Sequence, residues 1–207
     1  SKDARAKFCH ETGLKAPSHV LKTSVILGPN GSGKTGLIQA VRLMGEMVLN
    51  SAKGKQEGEP LTHIPYTLSA ATRSADTEFE AVFIHQNMRF QYGFSYNAQR
   101  ITGEWLFATP QGGRLQRWFE RSVEPGEDDR WYINPSLKGS RETWREATRD
   151  NALFLSTAVQ LNADSLRQPF EWIQNLFIIE SDERPSSTYP TRLISTKKWT
   201  TVINFFQ

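Results

Sequence analysis

The spacing of apolar residues changes along the chain, and each spacing predicts a different kind of element. Residues 22–27 (KTSVIL) predict a short buried strand that runs into a glycine-rich stretch. From Thr35 onwards apolar residues recur every three or four positions, which predicts an amphipathic helix over 35–50 with one face packed on a sheet. The polar stretch 51–60 contains glycine and ends in proline, so it predicts an exposed loop.

A second pattern, with a period of two, occupies the middle of the chain. Segments rich in aromatic and β-branched residues lie at 77–83, 88–96 and 100–107. They are separated by Gln86-Asn87 and Asn97-Ala98, which predicts an antiparallel meander. A further strand is expected within 112–122, before an acidic turn at 124–129. The alternating aromatic residues are interpreted as one buried sheet face rather than a base-stacking platform; they are Phe90, Tyr92, Phe94 and Tyr96.

Helical spacing returns after Ser140, which is a plausible N-cap. The apolar positions predict helices over 142–149, 152–160 and 165–175. A strand is expected at 176–180, followed by a last helix over 196–206 with Ser195 as its cap.

The strongest chemical signal is G-x-x-x-x-G-K-[ST], with Gly28, Gly33, Lys34 and Thr35 at its fixed positions. Glycines let successive backbone N–H groups point inward around a phosphate, and the positive end of the next helix adds to that field. Lys34 is expected to reach the β- and γ-phosphates of ATP as a catalytic residue, and the Thr35 hydroxyl to ligate Mg²⁺. The predicted nucleotide-binding residues are Gly28, Pro29, Asn30, Gly31, Ser32, Gly33, Lys34, Thr35 and Gly36. The chain has no D-x-x-G or N-K-x-D string, which disfavours a GTPase.

The segment GPNGSGKTGLIQAVRLM resembles the corresponding segment of the ABC-type ATPases, the group that includes the SMC, RecF-like and OLD-like proteins. YGFSYNAQRITGEWLF, RWFERS, NALFLSTAVQLN and FEWIQNLFII are similar to bacterial AAA-family ATP-binding proteins of this group, many of them associated with restriction or phage-defence loci. The resemblance implies an α/β P-loop NTPase of ABC-ATPase type. It divides residues 1–207, taken as a partial head, into a P-loop strand and helix (22–50), an antiparallel β-subdomain (66–135) and the start of a helical lobe (140–207).

The same resemblance implies further catalytic parts. A glutamine that holds Mg²⁺ and the attacking water is assigned to Gln160, with Gln86 as the alternative. No Walker B acid pair, LSGG-like signature or switch histidine is found, and the nearest imitation of a Walker B strand, at 176–183, has Glu180 in place of the aspartate. We interpret 176–183 as an ordinary strand and expect the missing motifs further along a longer protein.

The implied function is an ATP-binding head that uses ATP-dependent dimerisation and hydrolysis to control an effector, such as a nuclease or toxin, or a DNA-associated partner in phage defence. A homodimer or higher homo-oligomer through the ATP site is expected. Two alternatives stay open: a DNA-repair or chromosome-maintenance ATPase of RecF or SMC type, and a scaffold that senses ATP without hydrolysing it.

The amino-acid composition indicates where the protein is found rather than which activity it has. The 207 residues are 38% hydrophobic, which is adequate for a packed core, and no apolar run approaches the roughly 20 residues of a membrane helix. We expect a cytoplasmic protein without a secretory signal. The net charge of +3 is only a weak indication of nucleic acid. The remaining candidates for a metal or catalytic role are Cys9, His10, His19, His63 and His85. Their spacing is not that of zinc ligands, and no catalytic motif surrounds them.

Overall fold

The computed structural model describes residues 7–64, 70–73, 75–124, 126, 129–179 and 202–204. In chain order the elements are β1 (Cys9–Glu11), β2 (His19–Leu21), α1 (Lys34–Gly54), α2 (Ala70–Arg73), β3 (Thr77–His85), β4 (Met88–Tyr96), β5 (Ile101–Pro110), β6 (Gln116–Ser122), β7 (Arg130–Ile133), α3 (Arg141–Glu146), α4 (Phe154–Gln160), a 3-10 turn (Asp164–Leu166), α5 (Arg167–Gln174), β8 (Phe177–Ile179) and β9 (Val202–Asn204).

The antiparallel meander predicted from the period-two pattern is confirmed. Strands β3 to β7 form one five-stranded sheet in chain order, and each neighbouring pair is antiparallel. Between β3 and β4 the two-residue turn places Gln86 and Asn87 at φ values of 49° and 62°. Two positive φ values are what a type I′ turn requires, and this turn matches the right-handed twist of the flanking strands.

The inner face of this sheet is the core of the molecule. Phe90, Tyr92 and Phe94 have no exposed surface and Tyr96 has 1%, so the interpretation of these aromatics as a buried face is confirmed. Helices α4 and α5 cover that face: the Phe154 ring packs edge-on against Phe119 from β6 at 4.8 Å. The sheet therefore has one face buried under helices, which is why its strands alternate so regularly.

The phosphate-loop helix is longer than predicted. Helix α1 continues to Gly54, and Ser51 and Ala52 are buried rather than part of an exposed loop. Tertiary contacts explain the extension, because the Ser51 hydroxyl accepts a hydrogen bond from the Leu153 N–H (3.1 Å) and the Ala52 N–H reaches the Ser156 hydroxyl (3.3 Å). Helical spacing ends near Asn50, but packing against α4 carries the helix one turn further.

The buried strand predicted at 22–27 is wrong. These residues have no strand assignment, and Val25, Ile26 and Leu27 are 74%, 51% and 87% exposed. Hydrogen bonding of the β1–β2 hairpin stops at the Lys22 N–H, which donates to the Phe8 carbonyl. In the described part of the chain no strand pairs with 22–27, and an apolar sequence without a neighbouring strand cannot form a ladder.

The helical lobe expected from residue 140 is correct only as far as α5. Ser140 precedes α3, but its side chain makes no capping hydrogen bond; its carbonyl instead accepts the Trp144 N–H. The strand predicted at 176–180 is confirmed as β8, which pairs in parallel with β9. The last helix predicted over 196–206 is wrong at 202–204, since these residues pair with β8. Its proposed cap Ser195 lies outside the described residues.

No helix in the described part of the chain is both long enough and apolar enough to cross a bilayer.

Gly93 in β4 tests the packing of the outer sheet face. A Cβ atom there would lie 2.4 Å from the Trp105 ring and 2.7 Å from the Phe79 carbonyl oxygen. We expect Gly93→Ala to lower the free energy of unfolding by about 1–3 kcal/mol because the ring and the backbone must shift. Chemical denaturation measures this change. The matched control is Gly45→Ala in α1, where a Cβ meets nothing within 4 Å; it should raise stability by up to about 1 kcal/mol. Equal effects at both sites would contradict the packing argument.

Candidate phosphate-binding site

The glycine-rich loop follows the extended segment 22–27 and ends where α1 begins. Gly31 and Gly33 have φ values of 80° and 88°, and Gly33 is the N-cap of α1. The Ser32 N–H donates to the Pro29 carbonyl at 3.2 Å, which closes a tight turn. Only glycine adopts these φ values at low cost, so the spacing of glycines in the sequence corresponds to a real backbone requirement.

The side chain of Lys34 folds back over this loop. Its Nζ donates to the carbonyl oxygens of Gly28 and Pro29, both at 2.8 Å, and approaches the Ser32 hydroxyl at 3.3 Å. The turn is compact, because a Cβ atom on Gly28 would lie 2.7 Å from that same hydroxyl. A cation is therefore held at the mouth of the loop, directly before the first turn of α1.

The electrostatics of the loop suit an anion. The first turn of α1, residues 34–37, is fully described and contains no acidic side chain. The unpaired N–H groups of a helix start carry about half a positive charge, and Lys34 adds a whole one. Thr35 and Gly36 are exposed, so the Thr35 hydroxyl lies open to solvent beside the loop. The residues present therefore fit a phosphate group and an adjoining cation.

The structure does not bring Gln160 to this loop. Gln160 is exposed at the end of α4, and the hydrogen bonds between α4 and α1 involve Ser51 and Ala52. Those residues lie at the opposite end of a 21-residue helix, which is about 30 Å long. Gln86, the alternative, lies in the turn between β3 and β4. The assignment of either glutamine to Mg²⁺ stays a prediction.

Comparison with known proteins adds a family to this geometry. Residues 24–203 match the model of the family described as "AAA domain, putative AbiEii toxin, Type IV TA system". The chain belongs to this AAA family. Membership supports nucleotide binding by an ATPase domain, and this family of domains usually works with Mg²⁺. No curated protein and no solved structure matches the chain significantly.

The far end of α1 in this AAA domain is held by a short segment that precedes α4. The Arg149 guanidinium donates to the carbonyl oxygens of Ala52 (3.1 Å) and Lys55 (2.9 Å). The Asn151 amide donates to the carbonyls of residues 56 and 59 at 2.7 and 3.0 Å. The last carbonyls of a helix have no partners within it, so Arg149 stabilises the C-terminal end of α1, and Asn151 holds the loop that follows it.

The start of α4 is held from the sheet by the carboxylate of Glu104 in β5. Its Oε2 accepts the Phe154 N–H at 2.5 Å, and its Oε1 accepts the Leu155 N–H and the Tyr92 hydroxyl, both at 3.0 Å. Glu104 has no exposed surface. A carboxylate at a helix N-terminus is favoured by the helix dipole, and here it also satisfies two backbone donors that lack helical partners.

A cluster of charges begins at Arg121, the cross-strand neighbour of Glu104. Arg121 is buried, donates from Nε to Asp129 at 2.7 Å and from Nη1 to the Ala152 carbonyl, and lies 3.6 Å from Asp150. Arg100 contacts both aspartates, at 2.5 and 3.1 Å. Two arginines therefore balance two aspartates, which leaves Glu104 as an additional acid. Burial raises the pKa of Glu104 from 4.5 to about 7, against the opposing effects of the Leu155 and Phe154 N–H groups, Arg121 and Tyr92.

Sequence reasoning missed these anchoring residues. The sequence contained one signal for Glu104. Glu104 occupies the same set of alternate strand positions as Leu106 and Ala108, so the predicted strand already placed a carboxylate on the buried face. Nothing comparable marked Arg149 or Asn151, because their partners are backbone carbonyls far away in the sequence.

The remaining candidates are dispersed. In the β1–β2 hairpin His10 lies opposite Val20, and His19 opposite Glu11. The His63 ring packs edge-on against Tyr96, and burial lowers the pKa of His85 although Glu171 opposes this. Among the described residues no three His, Cys, Asp or Glu side chains come together as a metal site.

The buried carboxylate should make stability depend on pH. The folded-state pKa of Glu104, about 7, lies above the ordinary value of 4.5, so between these values the folded chain binds more protons than the unfolded chain. Stability from this group is therefore complete below pH 4.5 and is lost as the pH rises towards 7. The loss amounts to roughly 2–3 kcal/mol between pH 5 and pH 8. Denaturant unfolding at both pH values measures it.

Glu104→Gln should remove this pH-dependent part. The variant is also expected to be less stable at pH 5, because an amide cannot accept all three hydrogen bonds. Glu142→Gln is the control, since the Glu142 side chain is 72% exposed and should leave the difference between pH 5 and pH 8 unchanged. An identical pH profile for Glu104→Gln and the unsubstituted chain would show that Glu104 does not titrate in this range.

The C-terminal end of α1 should depend on Arg149. We expect Arg149→Met to cost about 1–3 kcal/mol and to speed amide hydrogen exchange at residues 52–60, because two partly buried carbonyls lose their donor. Hydrogen exchange read by mass spectrometry locates the effect. Arg145→Met is the matched control; among the described residues its guanidinium pairs only with the exposed Glu142, so the change should stay within about 0.5 kcal/mol. Similar exchange in both variants would contradict the capping role.

Proposed function

We propose that the chain is the nucleotide-binding head of an ATP-driven switch, with Mg²⁺-ATP bound at residues 28–36. The observation that carries the proposal is the position of Lys34. Its Nζ lies 2.8 Å from two carbonyl oxygens of the glycine-rich loop, so it lies where it would contact a phosphate bound in that loop. A loop of this form at a helix N-terminus favours negative charge through both its N–H groups and the helix dipole. The AAA family membership supports ATP as the source of that phosphate.

Several groups of the loop have a proposed task. Lys34 leaves the carbonyls of Gly28 and Pro29 and contacts the β- and γ-phosphates as a point charge, while the N–H groups of 31–34 surround the β-phosphate. Thr35 supplies its hydroxyl to Mg²⁺, which neutralises phosphate charge when bound. Gln160 as a ligand of the metal and the water rests on resemblance to ABC-type heads, and the binding proposal does not depend on it.

The biological role follows from what a γ-phosphate can do between two copies of such a head. Contacts made by ATP but not by ADP can order a dimer, so binding and hydrolysis switch its population. We propose that closure of this dimer controls an attached effector of nuclease or toxin type, or a DNA-associated partner, in phage defence. The toxin and toxin–antitoxin terms in the family description support this setting.

Lys34→Ala tests the binding site. Affinity for a fluorescent ATP analogue with Mg²⁺ should fall about tenfold to a hundredfold, because a charge-assisted hydrogen bond to phosphate contributes about 1.5–3 kcal/mol. Lys53→Ala is the matched control, since Lys53 is an exposed lysine in the last turn of the same helix. Undiminished binding by Lys34→Ala would refute the site.

Sedimentation of the same samples tests the switch separately. A non-hydrolysable ATP analogue should produce a dimer of the unsubstituted chain, and ADP should leave it monomeric. If ATP binds with the expected dependence on Lys34 but the chain stays monomeric, the dimer proposal is wrong and the binding site stands.

A further inference from the structure

The five-stranded sheet has an outer face, which is the side away from α4 and α5, and this face carries aromatic rings. Phe107 in β5 belongs to it, because its cross-strand partner Gln91 alternates with the inward-facing aromatics of β4. On the other side of β5, Phe107 is paired with Arg117 of β6. The Phe107 ring is only partly buried. It therefore offers apolar surface to a ligand that lies on the outer face.

A stacked pair of side chains lies next to Phe107 on the same face. The Arg117 guanidinium carbon lies 3.7 Å from the centroid of the Tyr132 ring. Glu120, whose cross-strand partner is Tyr132, forms an ion pair with Arg117 at 2.9 Å. The Arg117 side chain is still 46% exposed. Because its charge is shared with Glu120, Arg117 contributes mainly a planar surface, on which a flat ring can stack.

The charges of the sheet are segregated along its strands. Residues 84–91, 107–118 and 132–139 lie at one end of the sheet, where β3, β5 and β7 finish and β4 and β6 begin. These three segments are described throughout and contain no Asp or Glu. The acids Glu78 and Asp129 lie at the opposite end. We call the acid-free end the basic end.

The cations of the basic end are Arg89, Arg114, Arg117 and Lys138. Arg89 is on the outer face, where it is paired with Thr109 and lies diagonally across from Phe107. Arg114 is exposed in the loop between β5 and β6. With the described residues, Arg89 and Arg114 make no hydrogen bond or ion pair. Cations without acidic neighbours attract a polyanion, which releases its counterions on binding.

The β1–β2 hairpin borders one corner of the basic end. The Gln111 side-chain amide donates to the Gly13 carbonyl at 2.7 Å, which ties the hairpin to the loop between β5 and β6. A groove of about 440 Å³ lies between the hairpin and the corner of the sheet that holds Arg89. Residues 7–22, which form the hairpin, include three lysines and one acid. The border therefore adds positive charge beside the outer face.

We propose that the basic end of the outer face binds a single-stranded nucleic acid. Its bases stack on Phe107 and on the Arg117–Tyr132 pair, and its phosphates contact Arg89 and Arg114. Stacking accepts every base, and a sheet with exposed rings holds about two or three of them. DNA and RNA share these contacts, so both belong to the proposed ligand class. The site is separate from the glycine-rich loop and does not depend on the function proposed for that loop.

The combination of rings and unpaired cations selects this occupant. An acidic peptide would contact the cations but has no flat rings to place on Phe107 and Tyr132. A double helix also has phosphates, but its bases are stacked on each other and are not available to side chains on a sheet. Only a single strand uses the charge and the exposed rings together.

Fluorescence anisotropy of a labelled oligothymidylate of about 12 nucleotides tests the proposal in the full chain; this length lies within the usual site sizes of about 4–16 nucleotides. Lys34→Ala is present throughout, so that binding of phosphates at the glycine-rich loop does not contribute. The comparison probes have the same length: an oligouridylate, the duplex of the oligothymidylate with oligoadenylate, and an oligoaspartate peptide.

The oligothymidylate should bind with a Kd of about 100 µM or tighter at about 50 mM salt, and the oligouridylate within about threefold of it. The duplex and the oligoaspartate should bind at least about fivefold more weakly. Phe107→Leu should weaken binding of the oligothymidylate by at least about fivefold, because a base loses its stacking partner. Phe107→Tyr keeps the ring and should bind as before, and circular dichroism checks that both variants are folded.

The phosphate contacts are tested by the dependence of binding on salt. Arg89→Gln combined with Arg114→Gln should reduce the slope of log K against log salt concentration by about 1.4, because each phosphate contact of a single strand contributes about 0.7. Arg167→Gln is the matched control and should leave the slope unchanged. It removes an arginine whose side chain is 50% exposed from α5, which lies on the other side of the sheet.

The proposal is overturned if the oligothymidylate does not bind at a protein concentration of about 1 mM, well above the expected Kd. It is also overturned if the duplex or the oligoaspartate binds as tightly as the oligothymidylate, since the chain would then recognise charge alone. Equal affinities of Phe107→Leu and Phe107→Tyr would overturn the stacking contact. An unchanged salt slope in the variant that lacks both Arg89 and Arg114 would overturn the phosphate contacts.

Discussion

The buried carboxylate of Glu104 is the contact on which the arrangement of sheet and helices depends. It joins β5 to the first two N–H groups of α4, in a place from which water is excluded. An unsatisfied N–H in such a place costs about 1–3 kcal/mol, so α4 has one favourable position over the sheet. The position of α4 in turn sets Leu153 and Ser156, whose hydrogen bonds hold the end of α1.

The orientation of the glycine-rich loop is thereby set by contacts at the opposite end of α1. Only the C-terminal half of α1 is buried in the core, at Met47, Val48, Ser51 and Ala52. The loop before α1 is exposed, and the N-terminal half of the helix contains exposed and partly buried positions but no buried ones. Because a helix is stiff over this length, the contacts at one end fix the direction in which the loop's N–H groups point at the other.

Local patterns predicted the parts of this molecule that depend on neighbours in the sequence. The meander follows from alternation in β4 and the two-residue turn that joins it to β3, and the loop geometry follows from Gly31 and Gly33. The predictions of local structure were wrong where a partner that is distant in the sequence determines the conformation. The segment 22–27 has strand-like residues but no described neighbour to pair with, and Ser51 belongs to a helix because α4 supplies Leu153.

The same reasoning explains what could be predicted of the candidate site. Lys34 and its glycines occupy one contiguous stretch, so their chemistry is visible in the sequence alone. Gln160 was placed by analogy with the order of elements in ABC-type heads, and the contacts of its helix lie at the other end of α1. Glu104 and Arg149 act on backbone groups about 50 to 100 positions away, which no local pattern records.

The folded-back Lys34 also sets a threshold for what can enter the loop. Its ammonium already has two carbonyl acceptors at 2.8 Å, so an incoming ligand exchanges acceptors instead of filling an empty one. A neutral oxygen gains nothing by that exchange, whereas an ionised acceptor forms a hydrogen bond roughly twice as strong. An incoming ligand must therefore compete with these two carbonyls for Lys34, and this competition favours an ionised acceptor over a neutral one.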